Sequence, residues 1–494
     1  MKLYGTPIGA GICVALFILC TGLLATQALA AEVSETGSAT RVVTELSRQE
    51  SDPLDRAANA AIGKSQMQAR TIVRVKHVKL DVASILNAPT IRMNFFTDVS
   101  LVVAQDKVTK TVDGATHWVG HVGTNKIARA LFVIKHGNVV GSIHYGIHVY
   151  QIRPVESPSG AVHAIYEIDQ TKFPPENHHA RPPLSSLPSL GEIAHVRPPP
   201  AVNPRPTEMT LGDTPALTQV DLLVAYGNDV NSVAAATIIS EIDHAVDQAN
   251  QTFKDTGINL FLCLVDRVNV PTYGGTGGIT AKGTLQTVLE CLIDATCSST
   301  IKIRDMRDSM NVDLVSVWVE TGDECGTAIT NNDALDQNLG YSVVNRSGPT
   351  CATSNYSMVH EFGHTMGTEH ERAAEHVGAV DVENGQKNYG YFLRTPTPGQ
   401  RTIMATQYAC PGCPRIGLWS NPSLSFPPPA PSGIPMGVVE LKNAADNAGT
   451  LEANKNKVAK WRDRISVQCK NTTLNPDTDT TPPARPTGLN IGVR

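Results

Sequence analysis

No cysteine lies between residues 21 and 262 of this 494-residue chain, so that stretch can form no disulfide and offer no thiolate to a metal. No block of Lys and Arg occurs, and the formal net charge is only −5, which leaves no footprint for nucleic acid. The apolar run ICVALFILCTGLL, residues 12–24, falls short of the roughly 20 residues that a bilayer-spanning helix needs. No internal repeat is evident. The glycines of GGTGG, residues 274–278, are not followed by Lys-Ser/Thr, so they read as a plain loop rather than a phosphate cradle.

What is present begins at the N-terminus. Lys2 precedes the apolar run and Ala28-Leu29-Ala30 follows it, the pattern of a signal peptide over residues 1–30. Bulky Leu19 before Cys20 excludes a lipoprotein, so export to an extracellular location is expected, with no stable membrane anchor. Eight cysteines remain after the signal, all from Cys263 onward, and an even number in an exported protein reads as disulfides. Cys325 with Cys351 is the favoured pair. Cys410 and Cys413 form a lone CxxC, which predicts a structural bridge in an oxidising compartment.

Composition is ordinary for a globular protein with a real core, 41% hydrophobic and 18% charged, and the length predicts two or three domains. Residues 31–173 are rich in short β-type runs such as TIRMNFF and ARALFVIK separated by Gly, Asp and Asn, which predicts a β-rich unit. Residues 174–214 are dense in proline and poor in large apolar groups, as an exposed linker would be. From 215 to 465 strand-like runs alternate with helical ones. QVDLLVAY reads as a buried strand, Ile238, Ile242, Ala245, Val246, Ala249 and Phe253 follow at helical spacing, and Gly257 is a stop. This alternation predicts an α/β (α+β) domain, a twisted, mostly parallel sheet with packed helices, closed by a helix over 442–464. Residues 466–494 are Thr/Pro-rich and read as a disordered tail.

The chemistry concentrates in MVHEFGHTMGTEHER, residues 358–372. On a helix, His360 and His364 differ by about 40° in direction, so both imidazoles reach one point. Glu361 stands beside the first of them as a general base. A helix cannot aim a third side chain from position 370 at the same metal, but Gly367 accepts the left-handed conformation that turns the chain back and returns His370. The five fixed positions of HExxHxxGxxH would arise by chance on the order of once in 20,000 such chains. One Zn2+ per chain, held by His360, His364 and His370, is the cofactor this pattern calls for.

With RTIMATQY placing Met404 34 residues after His370, the sequence resembles the metzincin metallopeptidases. It is most similar to peptidyl-Asp metallopeptidases and related secreted bacterial reprolysin-like enzymes. The segments that carry the likeness are VDLLVAY, CATSNYSMVHEFGHTMG, RTIMA, CPRIGLWSNP and NAADNAGTLEANKNKVAKWR, over most of 217–464. GSIHYGIHVYQIRPV and AIYEIDQTKFPPE resemble the propeptides of those enzymes. Two features depart from the pattern: Glu371 follows the third histidine where Asp is usual, and Tyr408 stands four residues after Met404, with Thr406 in the position where a zinc-proximal tyrosine would be.

The resemblance implies a secreted zinc endopeptidase made as a zymogen, in which Glu361 assists attack by zinc-bound water and Met404 forms the Met-turn beneath the metal. It implies cleavage on the amino side of Asp, with Arg415, or else Arg401, in the primed pocket as partner of an acidic side chain. Substrate would add as a strand along CGTAITN, residues 325–331. The partners expected are protein or peptide substrates and the chain's own propeptide as inhibitor, with the enzyme a monomer. No propeptide cysteine is available to silence the zinc, which leaves Glu176, His178 and His179 in the linker as candidates for that contact. Two other readings remain open: a catalytically idle metal-containing peptide-binding surface protein, against which intact Glu361 argues, and a zinc amidohydrolase acting on non-protein amides. Asn345, Asn355 and Asn471 begin N-glycosylation sequons.

Overall fold

The β-type runs of the first third pair into a ten-stranded sheet in the computed structural model, which describes residues 39–157, 161–173, 217–227, 235–270, 284–294, 297–320, 324–331, 335–347, 350–372, 386–463 and 468–472. Seven consecutive strands, Thr90–Phe96, Val99–Lys110, Thr116–Val122, Asn125–Lys135, Asn138–Tyr145, His148–Val155 and Val162–Asp169, meander antiparallel. Ile72–Leu80 and Val43–Glu45 extend the sheet on one side, and Thr40–Arg41 adds a parallel edge on the other. Gly123, Gly137 and Gly146 sit at positive φ in the tight turns, a conformation that costs glycine nothing. Met93, Phe95, Trp118, Phe132, Ile152 and Ile165 form the core of this sheet.

A second sheet of five strands has the order Leu260–Asn269, Thr218–Tyr226, Leu314–Val319, Tyr341–Asn345, Gly326–Ala328. Three of its four pairings are parallel, and the last strand runs antiparallel to Tyr341–Asn345. Leu314–Val319 is buried along its whole length, as expected for a central strand covered on both faces. The helix Ala235–Thr256 covers one of those faces. Its Ile238, Ile242, Ala245, Val246, Ala249 and Phe253 are at most 2% exposed, and Gly257 at φ 78° ends it. The second half of the chain is thus an α/β arrangement, but the largest sheet of the protein is the antiparallel one before it. The closing helix is shorter than the sequence pattern predicts, Asn447–Val458, because Asp446 caps it by accepting from the Gly449 N–H at 2.8 Å.

All eight cysteines after residue 262 are paired: Cys263–Cys469, Cys291–Cys297, Cys325–Cys351 and Cys410–Cys413. The Asn345 and Asn355 side chains are at most 3% exposed, and Asn471 is tied to Leu262 and Leu264 of the second sheet, so none of the three sequons offers its amide to a glycosyl transferase in the folded protein. Among the described residues, no helix is long and apolar enough to cross a membrane.

Candidate active site

The helix Ser357–Thr365 carries His360, Glu361 and His364. Tyr356 precedes it in a left-handed conformation, φ 54°, unusual for a bulky residue and found where surrounding packing over-determines the backbone. The helix ends at Met366, and Gly367 at φ 94° reverses the chain. A side chain there would also run into Asn454. His370 then lies on the short strand Glu369–Glu371, which pairs with Tyr389–Gly390.

This turn brings three ring nitrogens together. His370 Nε2 lies 3.2 Å from His360 Nε2 and 3.1 Å from His364 Nε2. Three nitrogens bound tetrahedrally to one zinc at about 2.0–2.1 Å would be about 3.3 Å apart, so the donor set fits that ion. The Nδ1 nitrogens of His360 and His364 are spoken for. His360 Nδ1 donates to the Ile403 carbonyl at 2.9 Å, and His364 Nδ1 lies 3.0 Å from both the Thr368 carbonyl and Thr330 Oγ1. Such contacts fix the tautomer that leaves the Nε2 lone pair pointing inward. Burial, and after it the positive charge of Arg415 and the two neighbouring histidines, holds the His360 pKa well below its ordinary value, so the ring is neutral as a ligand must be.

Met404 is fully buried below this helix. A Cβ on Gly363 would sit 2.5 Å from its sulfur, so the glycine is what lets the methionine pack there. Glu371 locks the strand of His370 to the same turn by accepting from the Thr406 N–H at 2.7 Å and its hydroxyl at 2.8 Å. The side chain that replaces a tyrosine at position 406 therefore serves the carboxylate at 371, while Tyr408 is 57% exposed. Neither partnership is visible in the sequence beyond the two departures themselves.

Glu361 packs directly against the outermost strand, Gly326–Ala328. A Cβ at Gly326 would overlap its Oε1 and come within 2.9 Å of its Cδ. Sequence reasoning missed this glycine, because nothing local distinguishes it from any other loop or strand glycine.

Arg401 and Arg415, the two basic candidates near the turn, are 0% and 2% exposed and adjacent through a parallel backbone bridge. Arg401 donates to the Cys413 carbonyl at 3.1 Å, the Ala405 carbonyl at 2.6 Å and Asn355 Oδ1 at 3.3 Å, which makes it a strut inside the wall. Arg415 donates to the Asn355 carbonyl at 2.7 Å and also lines a cavity with Tyr356 and Gly417. Glu176, His178 and His179 lie outside the described residues.

Residues 216–407 match the model of the family described as Metallo-peptidase family M12B Reprolysin-like. A curated relative from Xanthomonas campestris pv. campestris, named peptidyl-Asp metalloendopeptidase, is 25% identical over 403 residues, covering 78% of this chain and 85% of the relative. A protein of the same name from Stenotrophomonas maltophilia is 25% identical over 376 residues, covering 72% of this chain and 80% of the relative. The solved metalloproteinase-II from Bacteroides fragilis is 12% identical with a TM-score of 0.33, covering 57% of this chain and 81% of that one. The sequence match spans the very segment that gathers His360, Glu361, His364 and His370, so residues 216–407 are similar to the reprolysin-like metallopeptidases and the protein is a zinc metalloendopeptidase.

Proposed function

We propose that the protein is a secreted zinc endopeptidase made as a latent precursor, which cleaves peptide bonds on the amino side of Asp. In this reading residues 1–30 are a signal peptide, 31–173 a propeptide, 174–214 a linker, 215–465 the catalytic domain and 466–494 a tail. The convergence of the His360, His364 and His370 ring nitrogens beside Glu361 carries the reading.

A single zinc per chain at that point supplies Lewis-acid polarisation of a water molecule and of the scissile carbonyl. The protein does the rest. Gly326–Ala328 is the last strand of its sheet, so an extended substrate adds along its outer edge through main-chain hydrogen bonds. Glu361, held against that same strand, accepts the proton of the attacking water and delivers it to the leaving amine nitrogen. Met404 and the Glu371–Thr406 pair hold the ligands in place from below.

Two observations support the finer parts. The names of the relatives give peptidyl-Asp cleavage, and buried Arg415 lines a cavity beside the active-site helix where an acidic side chain would find a charge-assisted partner. His360, Glu361, His364 and His370 are only 4–8% exposed in the full chain, which fits a precursor whose cleft is closed.

Digestion of denatured casein with and without a chelator tests the reaction. Glu361→Gln is expected to keep its zinc and lose nearly all turnover, because the ligands stay and the proton acceptor goes. Retention of more than a few per cent of activity by that variant would refute the role given to Glu361, and chelator-resistant hydrolysis would refute the metal chemistry.

A further inference from the structure

The helix Ala235–Thr256 is buried on both sides. Its apolar stripe packs on the five-stranded sheet, and its other face meets the ten-stranded one through charged and polar groups. Glu241 is clamped between Arg153 of the large sheet and Arg346 of the catalytic body, with Arg346 Nε and Nη2 at 2.6 and 2.9 Å, and all three side chains are at most 8% exposed. Arg129 reaches Asp255, with its Nε at 2.7 Å from Oδ2. Gln248 donates to His144 at 3.0 Å, and Gln151 donates to Thr353 at 2.7 Å. A seam between units that never part is normally apolar, like a core cut in half; along this helix the seam is hydrogen-bonded and ion-paired.

Several of these charges also have a partner on their own side of the seam, whereas Arg153 pairs with Glu241 across it. Without the large sheet, Glu241 keeps Arg346, Arg346 keeps Glu320 at 2.8 Å, and Asp255 keeps Gln251 at 2.8 Å. Arg129 for its part keeps Asp106 at 3.0 Å. Separation therefore leaves these groups paired on surfaces that water can wet, avoiding the heavy penalty of an orphaned buried charge. No disulfide crosses the seam, since every bridge joins cysteines between 263 and 469.

The seam also reaches the segments that flank the active-site helix. His144, Ile147 and Gln170 close over the cavity lined by Tyr356 and Arg415, with the His144 and Tyr356 rings 4.4 Å apart. The Gln170 carbonyl accepts from Gln407, three residues past Met404, at 3.1 Å. Phe173 joins Met67, Val149 and Ile168 in a cluster packed on the Cys325–Cys351 bridge, at the root of the Gly326–Ala328 strand.

We infer that the ten-stranded unit is a detachable inhibitor, which stays seated on the polar face of Ala235–Thr256 as a separate polypeptide after the chain is cut between residues 174 and 216, keyed by Arg153 between it and Glu241. This rests on the propeptide reading above and adds what that reading lacks: the docking surface, its key residue and non-covalent persistence. Cutting alone then does not activate the enzyme. Dilution or further digestion of the sheet does, by uncovering the Tyr356–Arg415 cavity.

The test uses the full chain with a site-specific protease sequence placed near residue 195. After cleavage at micromolar concentration, the two fragments are expected to co-elute in size exclusion as one particle of uncut size. Arg153→Glu is expected to weaken their association about 100-fold or more, since it puts like charges together in a buried site. Arg153→Gln, which keeps the stem and drops the charge, should weaken it about 10-fold or more and guards against misfolding of the first variant. Both uncut variants are checked for a cooperative thermal transition. Cut wild-type fragments that separate at micromolar concentration, or folded Arg153 variants that hold together as tightly as wild type, would overturn the inference. Fragments that co-elute but digest casein as fast as after dilution would uphold the docking surface and instead sink the latency reading.

Discussion

Replacing Gly326 by Ala is the most direct probe of how Glu361, the proposed general base, is held. The added methyl would overlap Glu361 Oε1 and lie 2.8 Å from its Cγ and 2.9 Å from its Cδ, where carbon atoms normally sit no closer than about 3.5 Å. Strand Gly326–Ala328 is hydrogen-bonded to Tyr341–Asn345 and Glu361 is anchored on a wholly buried helix, so the clash is relieved mainly by rotating the carboxylate. A displacement near 1 Å from the proton-transfer geometry is worth on the order of 100-fold in rate. The expected outcome for activated Gly326→Ala is a fall of that size in kcat on a peptide substrate, with KM changed less. Zinc content should stay at wild-type stoichiometry, because no ligand touches the new methyl. Overpacking should also lower stability by about 1–3 kcal/mol, read from chemical denaturation. A variant that retains kcat within threefold of wild type while holding zinc would refute the idea that the outer strand positions Glu361.

Further predictions concern the wall, the seam and the Met-turn. Arg415→Ala should lower kcat/KM for peptides with Asp after the cut by about 1.5–3 kcal/mol, the worth of a hydrogen bond to a charged group, and should little affect Leu peptides; equal losses on both would remove the acidic pocket. Burial holds the His144 pKa down to about 3, so its contribution to the uncut chain's stability is fully present above about pH 6.5 and shrinks as pH falls toward 3. His144→Gln lacks that proton uptake, so the stability difference between variant and wild type should shift in the variant's favour by about 1.4 kcal/mol per pH unit below 6.5. Denaturation curves at pH 7.5 and 5 measure it, and an unchanged difference would mean that His144 is not buried as a neutral ring. Thr406→Val deletes the hydroxyl donor to buried Glu371 and should destabilise the catalytic domain by about 1.5–3 kcal/mol, read as a lower melting temperature of the zinc-loaded protein.

Local rules made much of the protein legible before any coordinates. The three histidines, Glu361 and the turn at Gly367 are fixed by helical periodicity and by the one residue that tolerates a left-handed backbone, all within eleven consecutive positions. The buried stripe Ile238 to Phe253 and the strand at Leu314–Val319 follow from apolar spacing in the same way. What no window of sequence could contain is the pairing of distant polar groups. Gly326 acquires its importance only because it is folded against Glu361, Thr406 because Glu371 arrives beside it, and Arg153 because its strand lies over Glu241. Apolar burial leaves a periodic trace along the chain. A buried hydrogen bond or ion pair leaves none, because its geometry depends on two backbones that meet only in the tertiary structure, and that is where the positioning of the base, the wall and the seam were decided.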